Sequence, residues 1–552
     1  MKKKAILSLS ILILLVLCVY PFAILLTKVL WSGPDGALSF EPFKSIATSK
    51  STLTAIKNTI LVSTAVSLLC CLVGIPLAWL LSRTDFPWNR RFRSWLCLPY
   101  AIPPYIGAIA WIFLANPTTG LLNKIIGDSF FNVYTFTGLV WIESSFLYTF
   151  ILLTVHSSLE RMDSSFEEAA RLSGAGPLKI FRDITLPLIR PSILGGALLV
   201  FLATAASFGV PALIGSPARL YLITTQIYTF QKMGSMSGIY KAGALSMLLL
   251  VSAAITLLAQ QWVLRRSQFQ TVSGKSSRPS LIELGKWKTP SVVLVCLFLF
   301  LVFVLPILGI FISAISKVQG DINLTNWTLA NFNRVLFETH ETGRAFWNSF
   351  SLGVIAATLA CLLGAFLSYI QVKTKLKGRN FLDLIASLPY STPGTVVALA
   401  LILAFSNGFF GYGPSLYNTL GMLVLAYIVK YLSFAMKTTA DGYRQIDDVL
   451  DEASRVSGAG WSRTMLYIWL PLMKGPLVAS WFLIFMPVVS ELTMTILLSG
   501  PGLETIGTVI FQMQEYADAS GGGASVLALM VVLLVVMVNW IVKRSSNGRY
   551  GL

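Results

Sequence analysis

The chain is laid out as long apolar runs separated by short polar, mostly basic connections. A helix needs about 20 mainly apolar residues to cross a hydrocarbon core about 30 Å thick. On that rule the pattern predicts six spans near 5–30, 59–82, 95–115, 137–157, 190–213 and 241–264. Six more follow near 291–315, 349–371, 383–405, 419–437, 476–499 and 523–542. The first run, after Met1-Lys2-Lys3-Lys4, is longer than the apolar stretch of a typical signal peptide and is read as a retained helix.

One polar stretch occurs twice. Glu167 to Leu188 reads EEAARLSGAGPLKIFRDITLPL, and Asp451 to Leu472 reads DEASRVSGAGWSRTMLYIWLPL, a displacement of 284 residues. Further upstream Asn58, Gly74, Leu98-Pro99-Tyr100 and Pro103 recur 290 residues later as Asn348, Gly364, Leu388-Pro389-Tyr390 and Pro393. The repeat therefore divides the chain into homologous halves, 1–264 and 291–552, with a basic, Ser- and Gly-bearing linker at 265–290. An even number of spans per half keeps both copies of the loop, 160–188 and 444–472, on one side of the membrane.

Composition sharpens this picture. Only 12% of residues are charged and 55% are hydrophobic, far from the soluble average of about 25% charged. The net charge of +18 does not indicate nucleic acid, because the basic residues lie in short loops and not on one folded aqueous face. With a cytoplasmic N-terminus, the inside segments hold 30 of the 42 Lys and Arg and the outside loops hold nine. The positive-inside bias thus places both termini and both repeated loops in the cytoplasm.

Candidate chemistry is sparse. The six Cys residues lie in apolar runs with no C-x-x-C pair, and His156 and His340 carry no motif, so no catalytic or metal centre is expected. Gly274-Lys275-Ser276 resembles the tail of a phosphate loop but lacks the earlier glycine and a preceding strand, so the chain is not expected to bind ATP. Ionisable residues within spans mark function by default. Glu491, Lys430 and Glu143 are such residues, and Ser207 occupies the first-half position equivalent to Glu491. A pore or gate role is expected for these four, with an ion pair between Glu491 and Lys430 as the structural alternative.

Within each loop the sequence predicts a short helix ended by Gly174 or Gly458, since glycine enters the left-handed region without a Cβ clash. The acidic residues at its start suit the helix dipole, and the small residues beside them allow another surface to approach. The motif E-A-A-x-x-x-G followed by I-x-L-P resembles the EAA loop of permease subunits of type I ATP-binding-cassette (ABC) importers. The resemblance implies an all-α integral membrane protein of about 12 helices in two six-helix MetI-like halves. It implies that Glu168, Ala169, Ala170 and Gly174, with Glu452, Ala453, Ser454 and Gly458, form coupling helices seated on two copies of a cytoplasmic ATPase. Ser454 replaces the second alanine of the pattern. An extracytoplasmic binding protein would deliver substrate, the partner would hydrolyse ATP, and the chain itself would be no enzyme.

The segments around Glu491 and around Phe208 to Tyr228 are similar to the fused permeases of ferric iron importers, with 2-aminoethylphosphonate, thiamine and polyamine permeases as related alternatives. A secondary transporter driven by an ion gradient is the rival of another class. It would not need two matching polar loops.

Overall fold

The computed structural model describes all residues except 1, 268–280, 322, 448, 517–521 and 546–552. The phosphate-loop-like tripeptide, half of the linker and the last residues of the chain lie outside the described residues. The first half contains α1 (Ile6–Leu30), α2 (Lys50–Arg83), α3 (Asn89–Ala101), α4 (Pro104–Ala115), α5 (Phe136–Arg161), α6 (Ser165–Leu172), α7 (Pro177–Ala206), α8 (Ile223–Lys232) and α9 (Met236–Ser267). The second half contains α10 (Gly285–Ile315), α11 (His340–Lys373), α12 (Asn380–Ser391), α13 (Gly394–Phe405), α14 (Leu420–Gln445), α15 (Val449–Val456), α16 (Ser462–Leu472), α17 (Lys474–Val489), α18 (Thr495–Leu498), α19 (Ile506–Glu515) and α20 (Gly523–Ser545).

Among the described residues nine helices are long and apolar enough to cross a membrane, and counting three bent pairs as single spans gives twelve. The spans expected as straight runs near 95–115 and 383–405 are bent by 88° between α3 and α4 and by 106° between α12 and α13. The cause is Pro103 and Pro393, each of which lacks an amide hydrogen and forces the preceding residue out of the helical region. Ile102 has ψ 133° and Thr392 has ψ 139°. A further bend of 67° lies between α16 and α17, just ahead of the span expected near 476–499, whose helix α17 ends at Val489. Its first-half counterpart α7 runs through with Pro191 inside it.

The repeated glycines mark close helix crossings. A Cβ on Gly74 would lie 2.8 Å from the Ile151 Cβ, and one on Gly364 would lie 2.4 Å from the Ala435 Cβ. The repeated asparagines fix the loops at the other end of the bundle. Asn58 donates to the Tyr221 carbonyl at 3.2 Å, and Asn348 donates to the Gly502 and Glu504 carbonyls. Their neighbours Thr59 and Ser349 each accept the first amide of α8 or α19 at 2.9 Å.

The first helix of each half crosses to the other. Tyr20 of α1 lies tilted against two rings, with centroids 4.8 Å from Phe410 and 5.8 Å from Phe405. Gly309 of α10 admits Leu114 of α4, and Phe298 meets Tyr148 of α5 at 5.0 Å. The end of the linker is also held by the first half. Ile282 pairs with the backbone beside Thr84, Leu284 donates its amide to Asp85, and Lys288 bonds the same carboxylate at 2.9 Å.

Candidate coupling surface and translocation seam

Both short loop helices begin on an aspartate that the sequence reading passed over. Asp163 accepts the Ser165 amide at 3.0 Å, and Asp447 accepts the Val449 amide at 3.1 Å. Each helix ends at the predicted glycine, with φ +82° at Gly174 and +73° at Gly458. The next amide, on Ala175 or Ala459, reaches back to the carbonyl of Ala170 or Ser454, which closes the helix end. A Cβ on either glycine would meet open space. The glycine is therefore required by backbone conformation and not by crowding inside this chain.

What faces outward is apolar. Leu172 is 91% exposed and its counterpart Val456 is 89% exposed. Ala169 and Ala453 are exposed too, while Glu168 is half-buried and Glu452 is exposed. Ser454, expected among the coupling-helix residues, faces inward. It is buried, and its hydroxyl bonds Thr464 at 2.6 Å, so it braces the loop from within. At the equivalent first-half positions an apolar pair, Ala170 and Ile180, fills that space.

Beneath the first loop lies a buried polar anchor. Glu167, expected only to favour the helix dipole, is buried and sits 3.0 Å from Arg83 Nε at the end of α2. Thr185 donates to its other oxygen at 2.5 Å. Lys373 replaces Arg83 in the second half. Its ammonium donates to the Ile446 carbonyl at 2.7 Å and lies 4.9 Å from the Trp469 ring, Trp469 standing where Thr185 stands in the first half.

Midway along the bundle the two halves meet. Tyr105 of α4 donates to the Ser490 carbonyl at 3.4 Å, and Gly209 fits against Tyr105 and Leu492. Gln231 reaches the Leu497 carbonyl at 3.2 Å, and the rings of Phe208 and Phe511 lie 5.8 Å apart. Glu491 sits in this seam. Its carboxylate accepts the Met494 and Thr495 amides at 2.9 Å and the Thr495 hydroxyl at 2.6 Å. It thus satisfies the free donors at the start of α18. Lys430 takes the opposite task at α12, donating to the Pro389, Tyr390 and Thr392 carbonyls at the end of that helix. Each charge has its own helix end, and the two form no ion pair.

The first half distributes the same groups differently. Pro211 stands where Thr495 stands and has no amide to satisfy, and Ser207 stands where Glu491 stands. The acid appears instead on α5, where Glu143 is fully enclosed beside Ser207 and has one carboxyl oxygen without a hydrogen bond. Its second-half counterpart is Tyr427, which bonds Thr495 at 2.6 Å. Acid and hydroxyl have exchanged helices between the halves. The sequence brought Ser207 and Glu143 forward separately, and the fold brings them together.

Comparison with known proteins follows the same division. The family model described as "Binding-protein-dependent transport system inner membrane component" matches twice, over residues 72–268 and 360–548. The ferric transport system permease protein FbpB of Actinobacillus pleuropneumoniae is 26% identical over 88% of this chain and 71% of its own length. The Fe(3+)-transport system permease protein FbpB 2 of Haemophilus influenzae is 26% identical over 89% of both chains. The molybdenum transport system permease protein ModB of Escherichia coli K12 is 31% identical, over 38% of this chain and 93% of its own. With two family units on one polypeptide, a membrane-spanning body and a loop repeated at corresponding places, the chain belongs to the inner-membrane components of binding-protein-dependent transport systems, the permeases of ABC importers.

Proposed function

We propose that this permease imports ferric iron, delivered by an extracytoplasmic binding protein and driven by two copies of a cytoplasmic ATPase. The observation that carries the substrate is breadth of similarity. Permeases named for ferric transport match across both halves, whereas ModB matches a length equal to about one. In this reading residues 1–264 and 291–552 are two levers joined by 265–290, with both termini in the cytoplasm.

The exposed faces of α6 and α15 are the input. Leu172 and Val456 are large apolar side chains at the tips of polar loops, and such side chains bind where a partner buries them. Glu168, Ala169 and Gly174, with Glu452, Ala453 and Gly458, shape the contact. Closure of the ATPase dimer draws the loops together, the halves rock about the seam, and the pathway opens to the binding protein. Hydrolysis then returns the permease to its starting state.

Co-expression with the ATPase and binding protein tests the proposal. Uptake of radioactive iron from the ferric-loaded binding protein is expected, abolished by Leu172→Asp combined with Val456→Asp, together with loss of ATPase co-purification. Iron uptake by the permease in the absence of any ATPase would overturn it.

A further inference from the structure

Among the described residues no three His, Cys, Asp or Glu side chains come together. Phenols are a further source of oxygen donors for a hard cation. One such group stands at the end of the bundle away from the repeated loops. That end is identified by α9, which starts at Met236 and runs 32 residues back toward the side where the linker meets Asp85.

There α8 of the first half and α19 of the second finish side by side. Lys232 lies 3.8 Å from the Glu515 carboxylate, 4.8 Å from the centre of the Tyr228 ring and 6.0 Å from that of Tyr516. Tyr228 and Lys232 come from one half, Glu515 and Tyr516 from the other. Lys232 and Tyr516 occupy equivalent positions in the repeat, as do Gln231 and Glu515. The pair of helices thus carries two phenols and a carboxylate around a tethered ammonium.

We propose that Tyr228, Tyr516 and Glu515 form a transit site for a hard trivalent cation at the outer mouth, with Lys232 as the resident charge that the cation displaces. The inference rests on the ferric reading above and adds the ligands to it. Phenolate and carboxylate oxygens are hard donors that suit a small, highly charged ion, whereas soft thiolates suit other metals. Lys232 serves two ends. It neutralises Glu515 while the site is empty, and it leaves on a flexible stem when a stronger charge arrives. A site contributed by both halves also comes apart when the halves separate, so the ion is held only in one state of the cycle.

The test uses the permease with its ATPase in lipid nanodiscs, titrated with ferric nitrilotriacetate, beside iron uptake in cells. A visible phenolate-to-iron charge-transfer band is expected in the native protein. It should vanish in the Tyr228→Phe, Tyr516→Phe double variant and grow in Lys232→Met. Phenylalanine keeps the ring, so a site that only packs or latches the mouth would be indifferent to this change. The KM for iron uptake should rise about tenfold in the double variant, a loss of about 1.4 kcal/mol in apparent affinity, with equal amounts of protein in the membrane. Iron uptake with no band in the native protein, or with a band or KM unmoved in the double variant, overturns the site and leaves the ferric reading standing. Absence of iron uptake by the native system overturns the ferric reading, and the transit site with it.

Discussion

The two repeated loops have the same backbone course and different anchors. Under the first, Arg83, Glu167 and Thr185 form a buried, directional polar cluster. Under the second, Lys373 lies against an indole and a carbonyl, within a group of rings from Tyr369, Tyr443 and Trp469. A guanidinium facing a carboxylate fixes orientation as well as distance, while an ammonium over a ring tolerates sliding. The lesson is that duplication has preserved the outer face, the one proposed above as the input, and has let the support beneath it diverge. The seam repeats the lesson, with the acid on α5 in one half and after α17 in the other.

The largest effect is expected from breaking the directional anchor. Arg83→Ala leaves Glu167 buried without its partner and should cost about 3–5 kcal/mol, read as a lower melting temperature of the purified permease. Lys373→Ala, losing a cation-ring contact, should cost about 2 kcal/mol or less. Equal losses would show that the two anchors are interchangeable. Next comes the seam. Glu491→Ala removes the acceptor of two amides and a hydroxyl, and hydrogen bonds to a charged group are worth about 1.5–3 kcal/mol each. A loss of about 3 kcal/mol is expected in the same melting experiment. Glu143→Gln should leave stability unchanged, because that carboxyl caps nothing, and any effect should appear in transport alone.

Smaller again is Gly174→Val or Gly458→Val. The left-handed backbone costs a residue with a Cβ about 1–2 kcal/mol, so the protein should still fold, while ATP hydrolysis continues with transport reduced. The smallest effect is one of pH at the linker. The Leu284 amide and Lys288 hold the Asp85 carboxyl below its ordinary value of 3.8. A depressed folded value means that this tether is fully present above 3.8 and is lost as pH falls through the lower, folded value. Protection of the Ile282 amide, its exchange rate relative to the intrinsic rate at the same pH, should fall over that interval and stay constant above it.

Much of this was legible in the residues because its causes are local. Spans follow from apolar length, the loop helices from Gly174 and Gly458, and the duplication from repeated words. The bends escaped a hydropathy reading, although Pro103 and Pro393 were visible as repeats, because an apolar run does not reveal direction. The contacts of Lys430 were hidden for a similar reason. Its acceptors are carbonyls freed by the bend after α12, which composition does not display. Tyr105 and Ser490 touch across 385 residues of chain, a pairing that no local pattern encodes. Pairing Glu143 with Tyr427 by the 284-residue displacement would have exposed the exchanged acid from sequence alone.

The crossing of α1 to the second half has a consequence for how the protein is made. α1 leaves the ribosome before α13, and the α13 face that receives Tyr20 is synthesised several hundred residues later. At about 5–20 residues per second, α1 waits on the order of half a minute in lipid before its neighbour exists. Meanwhile Leu114 of α4 waits for Gly309. Each half is inserted with one groove vacant, and the second completes the first as it arrives. Joining them on one polypeptide makes the missing neighbour certain to come, in equal number and at the same place in the membrane, without a search among unrelated helices.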